Sequence, residues 1–267
     1  MSDIDRRQVQ RHFSASCKNY DGFADVQKRV AQRLADLVRS EGPSQGRFLE
    51  VGTGTGYLAE LLTQFNPQLQ PLISDLAHGM TRIAKQRLPR SWAVDLDAAA
   101  LPIASGSLPL ICSASVYQWV ENLGTAFGEC LRVLQSEGLF ICALFGNRTL
   151  WQLKDCFQEA LFLEGYGEPD YLLTLPGKTL VEKSLREGGF EIFRVWEEEE
   201  EEQHVSVPSL LRSIKGVGAH NASQRRPRGL SSRRVMHRLS EIYGQRFSAG
   251  DFLPATYHVI YIVARKV

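Results

Sequence analysis

The chain has 267 residues, is 43% hydrophobic, and carries 31 Lys and Arg against 30 Asp and Glu, for a net charge of +1. That length and apolar content suffice for a sizeable core, and the balanced charge excludes a dedicated nucleic-acid coat or a polybasic membrane binder. The opening "MSDIDRRQVQRHF" lacks the apolar stretch of a secretory signal and no run approaches a membrane span, so the expectation is a cytoplasmic protein without membrane association.

In chain order, residues 24–40 place Val26, Val30, Leu34, Leu37 and Val38 at helical spacing, and Gly42 and Pro43 stop that helix. "RFLEVGTGTG" reads as an apolar strand running into glycines, and "YLAELLTQF" as the next helix. "PLISDL", "SWAVDLD" and "LPLICSASV" follow as strands, with the helix "HGMTRIAKQRL" after the first of them. "LGTAFGECLRVLQSEG" reads as a helix ending at Gly138, and "LFICALF" as a nearly wholly apolar strand. Strands alternating with helices, and apolar on both faces, predict a doubly wound, mostly parallel α/β sheet covered on both sides.

Beyond residue 150 the pattern changes. "LWQLKDCFQEALFLEG" and "GKTLVEKSLREGGF" read as helices, "EIFRVWEEEEEEQHV" as extended, and residues 207–247 as a helical insertion before the final strand "ATYHVIYIVARKV". Seven strands result. The run Glu197–Glu202 reads as a solvated strand edge, where like charges prevent pairing with another chain. No repeat or linker divides the chain, so residues 1–267 are read as one domain. Its parts are a helical cap over 1–42, a core over 46–150 and an insertion over 207–247.

The five cysteines, Cys17, Cys112, Cys130, Cys142 and Cys156, form no C-x-x-C pair, which suits a reducing compartment. The six histidines show no metal-ligand spacing, and no metal is expected. Residues 218–234, "GAHNASQRRPRGLSSRR", concentrate five arginines.

The sharpest local feature is Glu50-Val-Gly52-Thr-Gly54-Thr-Gly56 between a strand and a helix. Such a turn lets a ligand approach the backbone at a helix N-terminus. The third glycine arrives one residue too early for the dinucleotide fingerprint, and no P-loop lysine is present. The spacing instead resembles the first motif of class I S-adenosylmethionine-dependent methyltransferases. In that resemblance Glu50 fixes the loop and helps hold the methionine ammonium, and Gly52, Gly54 and Gly56 cradle the cofactor. Asp75, nineteen residues past Gly56, receives the ribose hydroxyls. Asp97 receives the adenine amino group, with Asp95 an open alternative. Leu76, Ala98 and Ser113 complete the implied cofactor wall.

The ends of the chain are more specific. "RHFSASCKNYDGFADVQKRVAQRL", "SASVYQWVENL", "LLRSIKGVGAHNASQRRPRGLSSRRVMHRLSEIY" and "LPATYHVIY" are similar to segments of the malonyl-acyl-carrier-protein O-methyltransferases of biotin synthesis. Thr53 stands where that family more often has cysteine. Tyr117 replaces a usual leucine, a change in the pocket wall. The resemblance implies methylation of the free carboxylate of a malonyl thioester, on acyl carrier protein or coenzyme A; a monomer is expected. It also implies that the segment of Tyr20 closes over the cofactor, making Tyr20 one catalytic candidate; the other is Arg228, which in the insertion over the C-terminal edge of the sheet is expected to hold the malonyl carboxylate. Gln118, Trp119, Arg225 and Arg226 are then candidates for the substrate or its carrier, and Asp21 is read as a helix cap. The alternatives are a methyltransferase for another small carboxylate or thioester, a nucleic-acid methyltransferase, and a non-catalytic cofactor-binding protein. Against the nucleic-acid reading, no aromatic lies between Gly218 and Arg234, and "SASVY" stands where amino-methylating enzymes carry N/D-P-P-Y/F.

Overall fold

In the computed structural model, which describes residues 4–166, 174–219 and 233–267, seven strands form one sheet in the order β3-β2-β1-β4-β5-β7-β6. β1 (Gly46–Val51), β2 (Leu69–Asp75), β3 (Trp92–Asp95), β4 (Leu108–Ala114) and β5 (Leu134–Phe145) are parallel. β7 (Leu253–Arg265) runs antiparallel between β5 and β6 (Glu191–His204). The expected doubly wound sheet is present.

Alternation along the strands builds two cores. Phe48, Leu110, Ile141 and Tyr261 face one side, where α2 (Asp25–Glu41), α3 (Tyr57–Phe65), α6 (Trp151–Leu163), α8 (Val207–Gly216) and α9 (Arg233–Phe247) pack. Leu49, Ile111, Phe140 and Ile262 face the other, against α5 (Leu123–Val133) and α7 (Lys178–Glu187). Tyr117 belongs wholly to this second core. It is fully buried against Phe127 and Phe140, with its hydroxyl 2.9 Å from Cys130 Sγ, so it forms no part of the pocket wall.

Two expectations are revised. α5 ends at Val133 rather than Gly138, because Leu134 is already extended and pairs across to Leu108, with Glu137 turning through φ +64°. Glu197–Glu202 does sit on an edge strand, but most of it has a cationic partner. Glu198 and Glu200 pair with Arg33 and Arg29 of α2, Glu197 and Glu199 with Arg148, and Glu202 accepts from Ser213 and Tyr257. All five cysteines are free and buried. Among the described residues, no helix is long and apolar enough to cross a membrane.

Two further helices complete the frame around the site. α1 (Arg6–Ser16), capped by Asp5, packs against α4 (His78–Arg87). Between α1 and α2 the chain makes a short 3₁₀ turn at Tyr20–Gly22.

Candidate active site

A cavity opens where β1, β2, β3 and β4 end, the position at which open α/β sheets bind ligands. Its floor is the glycine loop. Gly52, Gly54 and Gly56 have φ of +70°, +55° and +87°, which side-chain-bearing residues rarely adopt. The three do not share one job. A Cβ on Gly52 would stand 2.1 Å from Val116, and one on Gly56 would stand 3.1 Å from Ala84 of α4, so these two serve close packing, Gly52 while also lining the cavity. Gly54 faces the cavity, where the nearest atom to such a Cβ is Tyr20 Cε1 at 4.0 Å.

Glu50 lies behind the loop, not on the cavity wall. Its Oε2 accepts from Thr53 Oγ1 at 2.8 Å and from the Ala59 N–H at 3.2 Å, which ties the loop to the first turn of α3. Burial pushes its carboxyl up to about 8, so it holds a proton at neutral pH. The loop-fixing part of its expected role has a direct contact behind it; a place beside the ligand does not.

Asp75 ends β2 with both oxygens engaged from behind, by the Gly54 N–H at 2.9 Å and the Ala77 N–H at 2.8 Å. Burial raises its carboxyl to about 6 against the pull of those donors. Leu76 and Ala98 line the cavity with it. Of the two adenine candidates, Asp97 lines the cavity, whereas Asp95 turns away to His78 Nδ1 at 2.7 Å. Ser113 is fully buried in the sheet, donating to the Val51 carbonyl at 2.8 Å, and does not reach the cavity.

Gln118 is also buried and off the cavity wall. Its amide donates to the Ser115 carbonyl at 2.7 Å and accepts from the Phe145 N–H at 3.4 Å, so it shapes the turn after β4. Trp119 does line the cavity, edge-on to Phe13 with ring centres 5.8 Å apart. Tyr20 lines it as well, and burial, with Asp75 and Asp21 nearby, raises its phenol, keeping it a neutral donor. Arg225, Arg226 and Arg228 lie outside the described residues.

Asp21 does not cap α2, whose first turn has no side-chain cap. It accepts from Thr55 Oγ1 of the glycine loop at 2.6 Å and pairs with Arg87 of α4. Although burial pulls its carboxyl up, these two partners hold it below the usual range.

Three residues not anticipated from sequence complete the cavity. Arg6 of α1 pairs with Asp97, Phe13 closes the roof, and Ser115 enters the wall in the left-handed region at φ +62°. The Ser115 hydroxyl is buried without a hydrogen-bond partner. Open glycine floor, two carboxylates on one side and an unpartnered hydroxyl on the other fit a ligand with hydroxyl and amino donors at one end. S-adenosylmethionine has that chemistry.

Sheet order, glycine loop and acidic strand ends together define a class I S-adenosylmethionine-dependent methyltransferase. A family model described as "Methyltransferase domain" matches residues 49–142. Among solved structures, the YcgJ protein of Bacillus subtilis superposes with a TM-score of 0.57 at 15% identity, over 87% of this chain and 97% of that one. A geranyl diphosphate methyltransferase in complex with SAM gives 0.55 at 12%, over 90% and 85%. These likenesses concern the fold. Sequence relatives are nearer. A malonyl-[acyl-carrier protein] O-methyltransferase of Geobacter sulfurreducens is 41% identical over 98% of this chain and 100% of its own. One from Methylococcus capsulatus is 33% identical over 98% and 94%. The biotin biosynthesis bifunctional protein BioHC of Teredinibacter turnerae is 30% identical over 98% of this chain and 47% of its own. The chain belongs to the malonyl-[acyl-carrier protein] O-methyltransferase family.

Proposed function

We propose that the protein methylates the free carboxylate of a malonyl thioester carried on acyl carrier protein, giving the methyl ester, as a step of biotin synthesis. The observation that carries this is the 41% identity over the full length of a relative with that name, since the match includes the cap and the C-terminal insertion as well as the common methyltransferase core. The relative named for biotin biosynthesis supports the pathway. We place the protein in the cytoplasm as a monomer of one domain, in keeping with five buried free thiols.

The chemistry asks little proton transfer of the chain. A carboxylate with a pKa of ~4 is already ionised at neutral pH, so no general base is required. Bound S-adenosylmethionine supplies a methyl group on a cationic sulfur, leaving a neutral thioether after transfer. The chain has to position the two reactants in line and strip water from the anion. Asp75 and Asp97 are proposed to take the ribose hydroxyls and the adenine amino group. The other end of the cofactor would then lie toward Ser115, Trp119 and Tyr20. Val9, Phe13 and Val116 give that end an apolar wall. Tyr20 is proposed to orient the reacting groups with its neutral hydroxyl, Arg228 to fork the malonyl carboxylate, and Arg225 and Arg226 to meet the carrier or the phosphate of its arm.

The test is transfer of labelled methyl from S-adenosylmethionine to malonylated acyl carrier protein, with the succinyl thioester and RNA alongside. Base-labile label on the malonyl carrier is expected, and Tyr20→Phe should lower kcat roughly tenfold with a smaller change in KM. Label on RNA or on no thioester would overturn the reading.

A further inference from the structure

The same helix that roofs the cavity turns a second face to solvent. Val9 and Phe13 of α1 point inward, while Arg7, Arg11 and Lys18, just past its end, form an exposed stripe on the opposite side. The C-terminal end of α8 abuts this helix. Ser16 Oγ donates to the Lys215 carbonyl at 3.5 Å, and a Cβ on Gly218 would stand 3.2 Å from both His12 O and Ser16 Oγ. α8 exposes Arg212 and Lys215, and α9, which packs on α8, exposes Arg233 and Arg234 in its first turn.

No acidic residue occurs within 6–19, 207–219 or 233–240. Among the described residues none of these seven cations is in an ion pair, a contrast with Arg29, Arg33, Arg132, Arg246 and Arg265, which all are. In a chain of net charge +1 this is a segregated basic face. Arg11 feels the Asp5 carboxylate at the start of α1, but like charges held together still repel one another, a cost that an anionic partner removes.

We infer that the exposed faces of α1, α8 and the start of α9 form a docking surface for an acidic carrier protein that delivers the thioester to the cavity beneath α1. The inference rests on the malonyl-carrier reading and locates where the carrier sits. A phosphopantetheine arm adds its own phosphodiester charge and needs its carrier near the cavity roof, which this face supplies. Nucleic acid would match the charge, but the surface offers no row of exposed aromatics for base stacking among the described residues of these helices.

The experiment uses the full chain and its charge-reversed variants Arg7→Glu/Arg11→Glu and Arg212→Glu/Lys215→Glu. Methyl transfer is measured to malonylated acyl carrier protein and to malonyl-pantetheine, which has neither protein nor phosphate. Each double reversal should raise KM for the carrier substrate about tenfold or more, leave malonyl-pantetheine kinetics and S-adenosylhomocysteine binding within about twofold, and flatten the decline of carrier turnover with added salt. Unchanged carrier kinetics would overturn the docking face while leaving the functional reading intact. An equal loss on both thioesters would also overturn it, assigning the effect to the fold or the cavity. Failure of the wild-type chain to methylate either thioester would remove the functional reading and the docking face together.

Discussion

At the scale of single residues, the contact between Arg6 and Asp97 is the most consequential one that sequence did not announce. A guanidinium rests on the carboxylate proposed to receive the adenine amino group, and each ligand atom that reaches Asp97 competes with it. The pair is half exposed on the arginine side, where such contacts contribute about 0.5–1 kcal/mol. Arg6→Ala should therefore tighten S-adenosylhomocysteine binding by roughly twofold to fivefold, whereas Asp97→Ala should weaken it about tenfold. Calorimetric titration of the two variants checks both signs, and weaker binding by Arg6→Ala would show that the arginine holds the ligand instead. Glycine residues were legible one by one, because φ above zero leaves a mark in composition. Arg6 left none: one arginine in "DRRQ" is indistinguishable from the next until α1 is laid across the sheet.

At the scale of elements, the N-terminal segment is stitched to the two parts that form the cofactor side of the cavity. Gln10 donates to the Leu76 carbonyl at 2.9 Å after β2, and Asp21 bridges Thr55 of the glycine loop and Arg87 of α4. Arg87 in turn donates to Thr55 Oγ1 at 3.2 Å and approaches Glu60 of α3 at 3.7 Å, so four side chains from four segments form one network. Tyr20 sits next to the bridge, and the network sets its distance from Gly54. Asp21→Asn keeps the shape but loses the charge assistance, at a cost of about 1 kcal/mol once exposure is discounted. The expected outcome is weaker S-adenosylmethionine binding by roughly fivefold and a reduced kcat, with Thr55→Val additive to it by less than its own effect because the two share one bridge. A double-mutant cycle in KM and kcat measures that coupling, and full additivity would dismantle the bridge. The sequence placed Asp21 near a helix start and offered capping as its role. Capping is a local relation, while the observed one spans 66 residues to Arg87.

At the scale of the whole molecule, a buried acid under the glycine loop gives stability a pH dependence. The Glu50 carboxyl is raised by burial from 4.5 to about 8, and Asp75 beside it from 3.8 to about 6. For both, the folded state binds the proton more tightly than the unfolded chain. Their contribution is complete below the unfolded values and is lost as pH rises through the folded ones. Melting temperature should thus fall by several degrees between about pH 6 and pH 8.5, and Glu50→Gln, which mimics the protonated acid, should flatten much of that slope. Calorimetry across that range decides it; a wild-type slope retained in full by Glu50→Gln would remove Glu50 as its source. The fold itself was legible at this scale, with seven strands and their helices read in order, because a parallel sheet buried on both faces writes continuous apolar runs. The extent of β5 was not, since "LQSEG" carries no apolar run and joins the strand only through the pairing of Leu134 with Leu108 of β4 and the backbone hydrogen bonds of Glu137 and Gly138 with Lys266.

By itself the sequence determined the α/β class, the glycine loop, the acid at the end of β2 and the family resemblance of its ends. The first three rest on periodicity and spacing between near neighbours in the chain, and the last on the similarity of whole segments to those of a known family. Only the tertiary structure decided which of Asp95 and Asp97 faces the cavity, that Gln118 braces the Ser115 turn, and that Tyr117 fills a core. The physical reason lies at the strand ends. Once β3 stops at Asp95, the alternation that predicts side-chain direction stops too, and the turn that bonds Asp97 to Ala100 sets where its carboxylate points. The basic face of α1, α8 and α9 has the same origin. Its charges lie far apart in the chain, and they come together only because the end of α8 meets α1 and α9 packs on α8.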